Sequence, residues 1–350
     1  MQDNSDDNSA IQAFLTSNTD ERLKYYHQKE WLSQSGNCDL SIAHSSGEYV
    51  ILIGDDDFVS PYIFDIVTMM KKQNIECLIY KPGLYYWPNL QFIKQSYMRR
   101  PAIMQITKKM SVEKHELNAD IELDFVLNKG AMFLYQLPTI YHGIVKISVL
   151  QEVKKRFGTC FPGPSPDMAC AVALAFTLKK YYFINYPVSI TGASKNSAAG
   201  LGVRKAHYAE LQNLNFLSKD VITKWDPFIP RIWSGPTIIT QSASEVVKAS
   251  NTGKKINYLP LYAHMMIYEF RAKAYTIKAM KLFLEKYGNK VGKITALFCR
   301  KLLGKTYVWL HGLFSIDKKQ TLVIENMNTI NDCMMHLKLD GSSLSTVGNM

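Results

Sequence analysis

One stretch constrains the fold more than any other, YVILIGDDDFVSPYIFDIVTMMKKQNIECLIY at residues 49–80. Two short apolar runs, YVILI (49–53) and ECLIY (76–80), read as buried strands. Between them Ile63, Ile66, Val67 and Met70 recur at helical spacing, with Ser60 placed to cap the helix and Pro61 as its first residue. A strand, a helix and a second strand this close in sequence predict a parallel crossover, and therefore an α/β sheet.

The first of those strands ends in Gly54 and three consecutive carboxylates, Asp55, Asp56 and Asp57. Like charges held this close repel one another. In an open α/β sheet, ligands bind outside the carboxyl ends of the strands, where this cluster sits. A hard divalent cation would make the cluster favourable, and Mg²⁺ or Mn²⁺ is commonly shared with substrate phosphates. The simpler alternative is a solvated acidic turn that caps the next helix, for which one aspartate would suffice.

The 350 residues are enough for two domains. The texture divides near residue 200, where the small-residue loop SITGASKNSAAGLG (189–202) reads as a domain edge. Residues 1–200 alternate strand and helix patterns, and a second helix is expected from Asp167 in DMACAVALAFTLKK, after the loop FPGPSP. Residues 201–350 read as a mostly helical region, with helices over 205–219 and 258–315 and a loose tail, LDGSSLSTVGNM. Pro260 opens the clearest of these helices and Gly288 closes it.

The formal charge is +11, and between Lys248 and Lys305 thirteen Lys and Arg face only Glu269 and Glu285, which accounts for all of it. A basic segment on a neutral body suggests an anionic partner, an anionic membrane surface ahead of nucleic acid, with a lysine-rich solvated face as an equal alternative. Nucleic acid is not expected, because the basic residues have neither a helix-turn-helix context nor an aromatic single-strand platform. The longest apolar run, MACAVALAFTL, is too short to span a bilayer. The opening MQDNSDDNSA is polar and acidic, unlike a secretory signal. Six scattered cysteines form no C-x-x-C pair, so they predict free thiols in a cytoplasmic protein rather than a zinc site. A phosphate-binding G-x-x-x-x-G-K-[ST] loop is not found.

The turn Asp-Asn-Ser-x-Asp at residues 3–7, followed by GEYVILIGDDDFVSP at 47–61, resembles a family 2 glycosyltransferase with the GT-A fold, over roughly residues 1–200. The resemblance implies a metal-dependent, inverting transfer of a sugar from a nucleoside-diphosphate-sugar donor to a hydroxyl of a surface glycan or lipid-linked acceptor. It implies that Asp3 contacts the nucleotide base and that Asp55 and Asp57 hold the Mg²⁺ or Mn²⁺ on the diphosphate. Asp56 lies in the same cluster and is expected to contact the donor. In GPSPDMACAVALA, the resemblance places Asp167 at the acceptor side as the base. Capping of its own helix is an equal and compatible role. The helix N-terminus is expected to favour its ionised form. The family's N-terminal strand and Pro-Thr-Tyr-Asn-like turn are missing, so an unpaired strand edge is expected. No Q-x-x-R-W motif points to a processive polysaccharide synthase.

Three further features carry expectations. Lys195, Arg204 and Lys205 sit in the loop after residue 192 and could close on the diphosphate, or merely line a solvated linker. His142, in TIYHGIVKISVL, is expected to be structural. Tyr85, Tyr86 and Trp87 are expected in the core rather than against a sugar. The alternative to an enzyme is a truncated, inactive remnant, or a scaffold that binds an anion or glycan through its basic helices.

Overall fold

The structure is a computed structural model and describes residues 1–203, 208–214, 217, 219–288, 290–312 and 320–337. Its strands are β1 (Gln2–Asp3), β2 (Tyr26–His27), β3 (Tyr49–Val50), β4 (Phe58–Val59), β5 (Cys77–Tyr80), β6 (Gly83–Tyr86), β7 (Ile103–Thr107), β8 (Ser111–Asn118), β9 (Gly143–Lys146), β10 (Lys180–Asn185), β11 (Ser189–Ala193) and β12 (Thr321–Glu325). Its helices begin with α1 (Ser9–Ser17), α2 (Gln34–Ala43), α3 (Ile63–Lys72), α4 (Ala119–Asn128), α5 (Ile147–Phe157) and α6 (Pro166–Thr177). They continue with α7 (Ala198–Val203), α8 (Lys219–Thr223), α9 (Gly235–Ser250), α10 (Leu259–Tyr268), α11 (Lys273–Tyr287), α12 (Val291–Gly312) and α13 (Ile330–Met334).

The strands form two mixed five-stranded sheets, in the orders β3-β9-β5-β10-β8 and β12-β7-β6-β11-β4. The expected crossover from β3 through α3 to β5 is present, but β9 lies between the two strands and runs antiparallel to both. β3 therefore stands at an edge, and its ladder is shorter than the apolar run, with one further bridge at Leu52 to Tyr141. β1 and β2 pair in parallel as a separate two-stranded sheet. The mixed α/β class and the helical C-terminal region are as expected.

The larger core lies on the helical side of the first sheet. The α6 sequence PDMACAVALAFT is buried from Met168 to Ala175, with its alanines and Cys170 facing neighbours on all sides. Small side chains let α9 come close, and a Cβ on Gly163 would stand 3.1 Å from Ser242 Cα. The larger side chains of α6, such as Met168 and Leu174, each contribute about 1.5–3 kcal/mol of burial at most. This packing fixes the N-terminal end of α6, and so the position of Asp167.

Four expectations change. The single helix from Pro260 to Gly288 is two helices, broken at Glu269 and a 3₁₀ turn over Phe270–Ala272. The break turns α11 back so that Phe283 packs on Tyr258 and Tyr262, at ring separations of 6.1 and 5.9 Å. Within 205–219, residues 208–210 are extended and 211–213 form a 3₁₀ turn, while Lys205 lies outside the described residues. Ser60 does not cap α3, which begins after Tyr62; the Ser60 hydroxyl bonds Tyr186 Oη at 2.6 Å instead. The C-terminal region also returns a strand, since β12 pairs antiparallel with β7. Behind it Met327, Cys333 and Leu337 join Phe58, Tyr85 and Met104 in a second core. The expected loose tail, residues 339–350, lies outside the described residues.

Candidate active site

Three consecutive aspartates after β3 face three different environments. Asp57 is buried, Asp56 is half-buried and Asp55 is exposed. Asp57, expected as a metal ligand beside Asp55, is turned inward and commits both carboxylate oxygens to the protein. Its Oδ2 accepts from the Gly54 N–H at 2.7 Å and the Tyr141 hydroxyl at 2.7 Å, and lies 3.2 Å from His142 Nε2. Its Oδ1 accepts from the Gly192 N–H at 2.7 Å. Burial alone would raise its pKa, but His142 and the two backbone N–H groups outweigh it and hold the carboxyl below the usual range.

His142 holds the other side of this network. Its backbone lies in the left-handed region at φ 55°, which is uncommon for a side chain with a Cβ. Nδ1 bonds Ser189 Oγ at 2.6 Å, and Nε2 lies 3.0 Å from Thr191 Oγ1. Ser189 Oγ also bonds Tyr80 Oη at 2.8 Å. The expectation of a structural His142 fits this enclosure.

Asp56 clasps the loop after β11. Its Oδ2 accepts from the Ser194 N–H at 3.0 Å, and its backbone carbonyl accepts from Trp87 Nε1 at 3.0 Å. The approach is close enough to require glycine on the opposing strand: a Cβ on Gly192 would stand 1.8 Å from the Asp56 carbonyl oxygen. Tyr85 and Tyr86 are buried as expected, whereas Trp87 is half-buried and fixes this turn.

Asp167 sits in the first turn of α6, one residue after Pro166. Burial raises its carboxyl pKa and outweighs both its own backbone N–H and the nearby charge of His142. The helix N-terminus was expected to dominate; it does not, because the packed face of α6 removes water from the carboxyl. Asp57 also raises it, which places Asp167 within electrostatic reach of the turn.

Asp3 lies at the end of β1, apart from the larger sheets. It accepts from the Ser5 N–H at 2.8 Å, Ser5 Oγ at 2.7 Å and Tyr25 Oη at 2.6 Å. Partial burial would raise its pKa, but these hydrogen bonds hold it low. Lys195 is exposed directly after Ser194, and its N–H donates to Asn89 Oδ1 at 3.2 Å. Arg204 lies outside the described residues.

Residues 1–131 match the family model for glycosyl transferase family 2. Over that stretch, a little over a third of the chain, the sequence is similar to family 2 glycosyltransferases. Two crystal structures of S. aureus TarS are similar to the chain. The one of residues 1–349 is 12% identical, with a TM-score of 0.37, and covers 54% of this chain and 49% of its own. The second is 10% identical, with a TM-score of 0.39, and covers 84% of this chain and 43% of its own. The chain thus spans about half or less of these structures. No protein of curated function matches it.

The fit of a divalent cation to the aspartate turn follows from the donor set. Among the described residues no group of three or more His, Cys, Asp and Glu side chains could enclose a metal. A cage made by protein alone is therefore not present there. Asp55 and the second oxygen of Asp56 remain, which suits Mg²⁺ or Mn²⁺ completing its shell with phosphate oxygens and water.

Sequence reasoning missed Tyr141, Gly192 and Ser194. Tyr141 stands one residue before a histidine that was noticed, but its reach to Asp57 depends on β9 entering the sheet beside β3. Only the antiparallel insertion of β9 brings residue 141 to the carboxyl end of that strand.

Proposed function

We propose that the chain transfers a sugar from a nucleoside-diphosphate-sugar donor to an acceptor hydroxyl, with inversion at the sugar carbon. The observation that carries this reading is the placement of Asp167 in the first turn of α6, within electrostatic reach of the clasped aspartate turn, where burial raises its pKa. A carboxylate made more basic by burial is suited to take the acceptor proton as the hydroxyl attacks. Asp55 and Asp56 would hold Mg²⁺ or Mn²⁺, and a bound cation would supply Lewis acidity to the departing diphosphate. Asp57 positions that pair by anchoring the turn, and Asp3 would orient the nucleotide base. Lys195 and Arg204 would add positive charge at the leaving group.

The acceptor in this reading belongs to a surface glycan and the enzyme acts in the cytoplasm. Among the described residues, no helix is long and apolar enough to cross a membrane. The outward Lys273, Lys278, Lys281 and Lys286 of α11 would meet anionic lipid at the membrane's inner face. A catalytically inactive scaffold is the second reading, favoured by the separation of β1–β2, with Asp3, from the larger sheets.

The test is donor turnover over a panel of radiolabelled UDP-, GDP- and dTDP-sugars with Mn²⁺. The reading expects hydrolysis or transfer of at least one donor. It expects Asp167→Asn to lower the rate by about 10²–10⁴-fold while nucleotide binding persists. Nucleotide binding without turnover of any donor would favour the scaffold.

A further inference from the structure

Five aromatic rings form a continuous ribbon on the flank of the helical region, away from the aspartate turn in sequence. Phe125 of α4 meets Tyr135 at a centroid separation of 5.2 Å, and Tyr135 meets Phe133 at 5.9 Å. Phe133 meets His264 of α10 at 5.6 Å, and His264 meets Tyr268 at 4.7 Å. Phe125, Phe133, Tyr135 and Tyr268 are 42–48% exposed. Phe270, 58% exposed, extends the line past the end of α10. Core packing would have covered these rings. Five aromatic rings this exposed and this near one another are unusual for a surface with no partner.

Unpaired charge beside the ribbon is positive. Lys129 Nζ lies 5.3 Å from the Phe125 ring centre. Lys301 of α12 lies within electrostatic reach of Lys129, of Arg300 and of the His264 ring: burial first, then Arg300 and Lys129, lower the Lys301 pKa. Among the described residues no ion pair reaches any of the three. The nearby Asp120 and Asp124 are already paired with Lys254, at 2.9 and 2.6 Å. Burial and then Lys301 lower the His264 pKa to about 4, so its ring is neutral and stacks as an aromatic.

The ribbon also has a direction. At its end, Tyr268 and Phe270 line a cavity of about 470 Å³ with Gly202, Pro236 and the ion pair Glu269–Arg271. Gly202 belongs to α7, which follows the Ser194 loop clasped by Asp56.

We propose that this ribbon is a docking track for an anionic glycan, whose sugar rings stack on Phe125, Tyr135, Phe133 and Tyr268 while its carboxylate or phosphate groups meet Lys129, Arg300 and Lys301. Aromatic faces stack on the apolar faces of pyranose rings, and cations supply the charge complement. Neighbouring rings flanked by cations match the apolar faces and the charges that recur along an anionic polysaccharide strand. The proposal rests on the reading of the chain as a glycan-modifying protein and names the charge class of its acceptor.

Affinity electrophoresis of the full chain through gels containing polygalacturonate, phosphomannan or neutral dextran tests it. Retardation by at least one anionic polymer, and little by dextran, is expected. Phe133→Ala/Tyr135→Ala and Lys129→Ser/Lys301→Ser should each weaken it by about tenfold. Phe133→Leu keeps an apolar side chain without the ring, so it separates lost stacking from lost folding and should weaken retardation while the melting curve is unchanged. Unaltered migration of wild-type protein in all three gels would overturn the proposal. So would equal retardation of the wild type and the ring variants, or ring variants that lose only sedimentation with phosphatidylglycerol vesicles. Nucleotide calorimetry on the same variants reads the aspartate turn independently. Normal nucleotide binding with no glycan retardation would sink the track alone, and the converse would sink the transferase reading alone.

Discussion

Asp57 in the α/β region and Asp226 in the helical region are the two buried aspartates among the described residues. Each accepts from a tyrosine hydroxyl, Tyr141 at 2.7 Å and Tyr258 at 2.9 Å. Asp57 also takes two backbone N–H donors and Asp226 one, and both have lowered pKa values although burial opposes this. They differ in what the enclosure does. Asp226 is closed by Lys248 at 2.8 Å and by Ser244 Oγ at 2.8 Å, and ties the start of the helical region to α9. Asp57 ties a turn whose two preceding residues are acidic and progressively more exposed. The same chemistry therefore stabilises a scaffold in one region and presents a ligand-binding turn in the other.

The comparison breaks most severely at the two carboxylates themselves. Asp57→Ala would leave Tyr141, His142 and two N–H groups without their acceptor, at a cost of about 3–5 kcal/mol. Chemical denaturation should show that loss, and nucleotide binding should fall with it. Asp226→Ala is expected to cost less, about 2–3 kcal/mol, because Lys248 is well exposed and can rehydrate. It should leave nucleotide binding of the folded fraction unchanged. If Asp226→Ala weakened nucleotide binding as much as Asp57→Ala, the two regions would not be separable in this way.

Asp167 sharpens the contrast through pH. Its folded pKa is raised, so its contribution to stability is present below its unfolded pKa and is lost as pH rises through the folded value. Asp167→Asn should therefore raise the melting temperature at neutral pH while lowering turnover by about 10²–10⁴-fold. Its catalytic role runs the other way, since the ionised form is the base. The rate should fall, as pH is lowered, at a higher pH than an ordinary aspartate would give. A pH–rate profile is the measurement. A profile flat down to the usual aspartate range would remove Asp167 as the base.

Smaller effects come from the positioning groups. Gly192→Ala forces a Cβ toward the Asp56 carbonyl, so it should displace the turn and weaken nucleotide binding more than it weakens folding. Tyr141→Phe removes one hydrogen bond to a charged group, worth about 1.5–3 kcal/mol at most, and should lower the melting temperature modestly.

Local pattern made the architecture legible where it repeats over several residues. The crossover at 49–80, the start of α6 and the all-round apolar character of MACAVALAFTL all survive in the structure. What depends on distant pairing did not show. β9 inserts between β3 and β5 from 60 or more residues away, and β12 comes back from beyond residue 320. The break at Glu269 was hidden because the helical spacing continues across it. At the site, the triple aspartate announced itself by charge, yet the three positions were indistinguishable in sequence. Which carboxylate turns inward is decided by Tyr141, His142 and Gly192, none of which lies in the motif.

The most direct test of the central claim is titration calorimetry of UDP, GDP and dTDP with Mn²⁺ and then with EDTA, on the wild type, Asp55→Ala and Asp226→Ala. The account predicts binding of at least one nucleotide that requires Mn²⁺, is lost in Asp55→Ala without a change in melting temperature, and survives in Asp226→Ala. Binding that is equal in EDTA, or that is unaffected by Asp55→Ala, would contradict it.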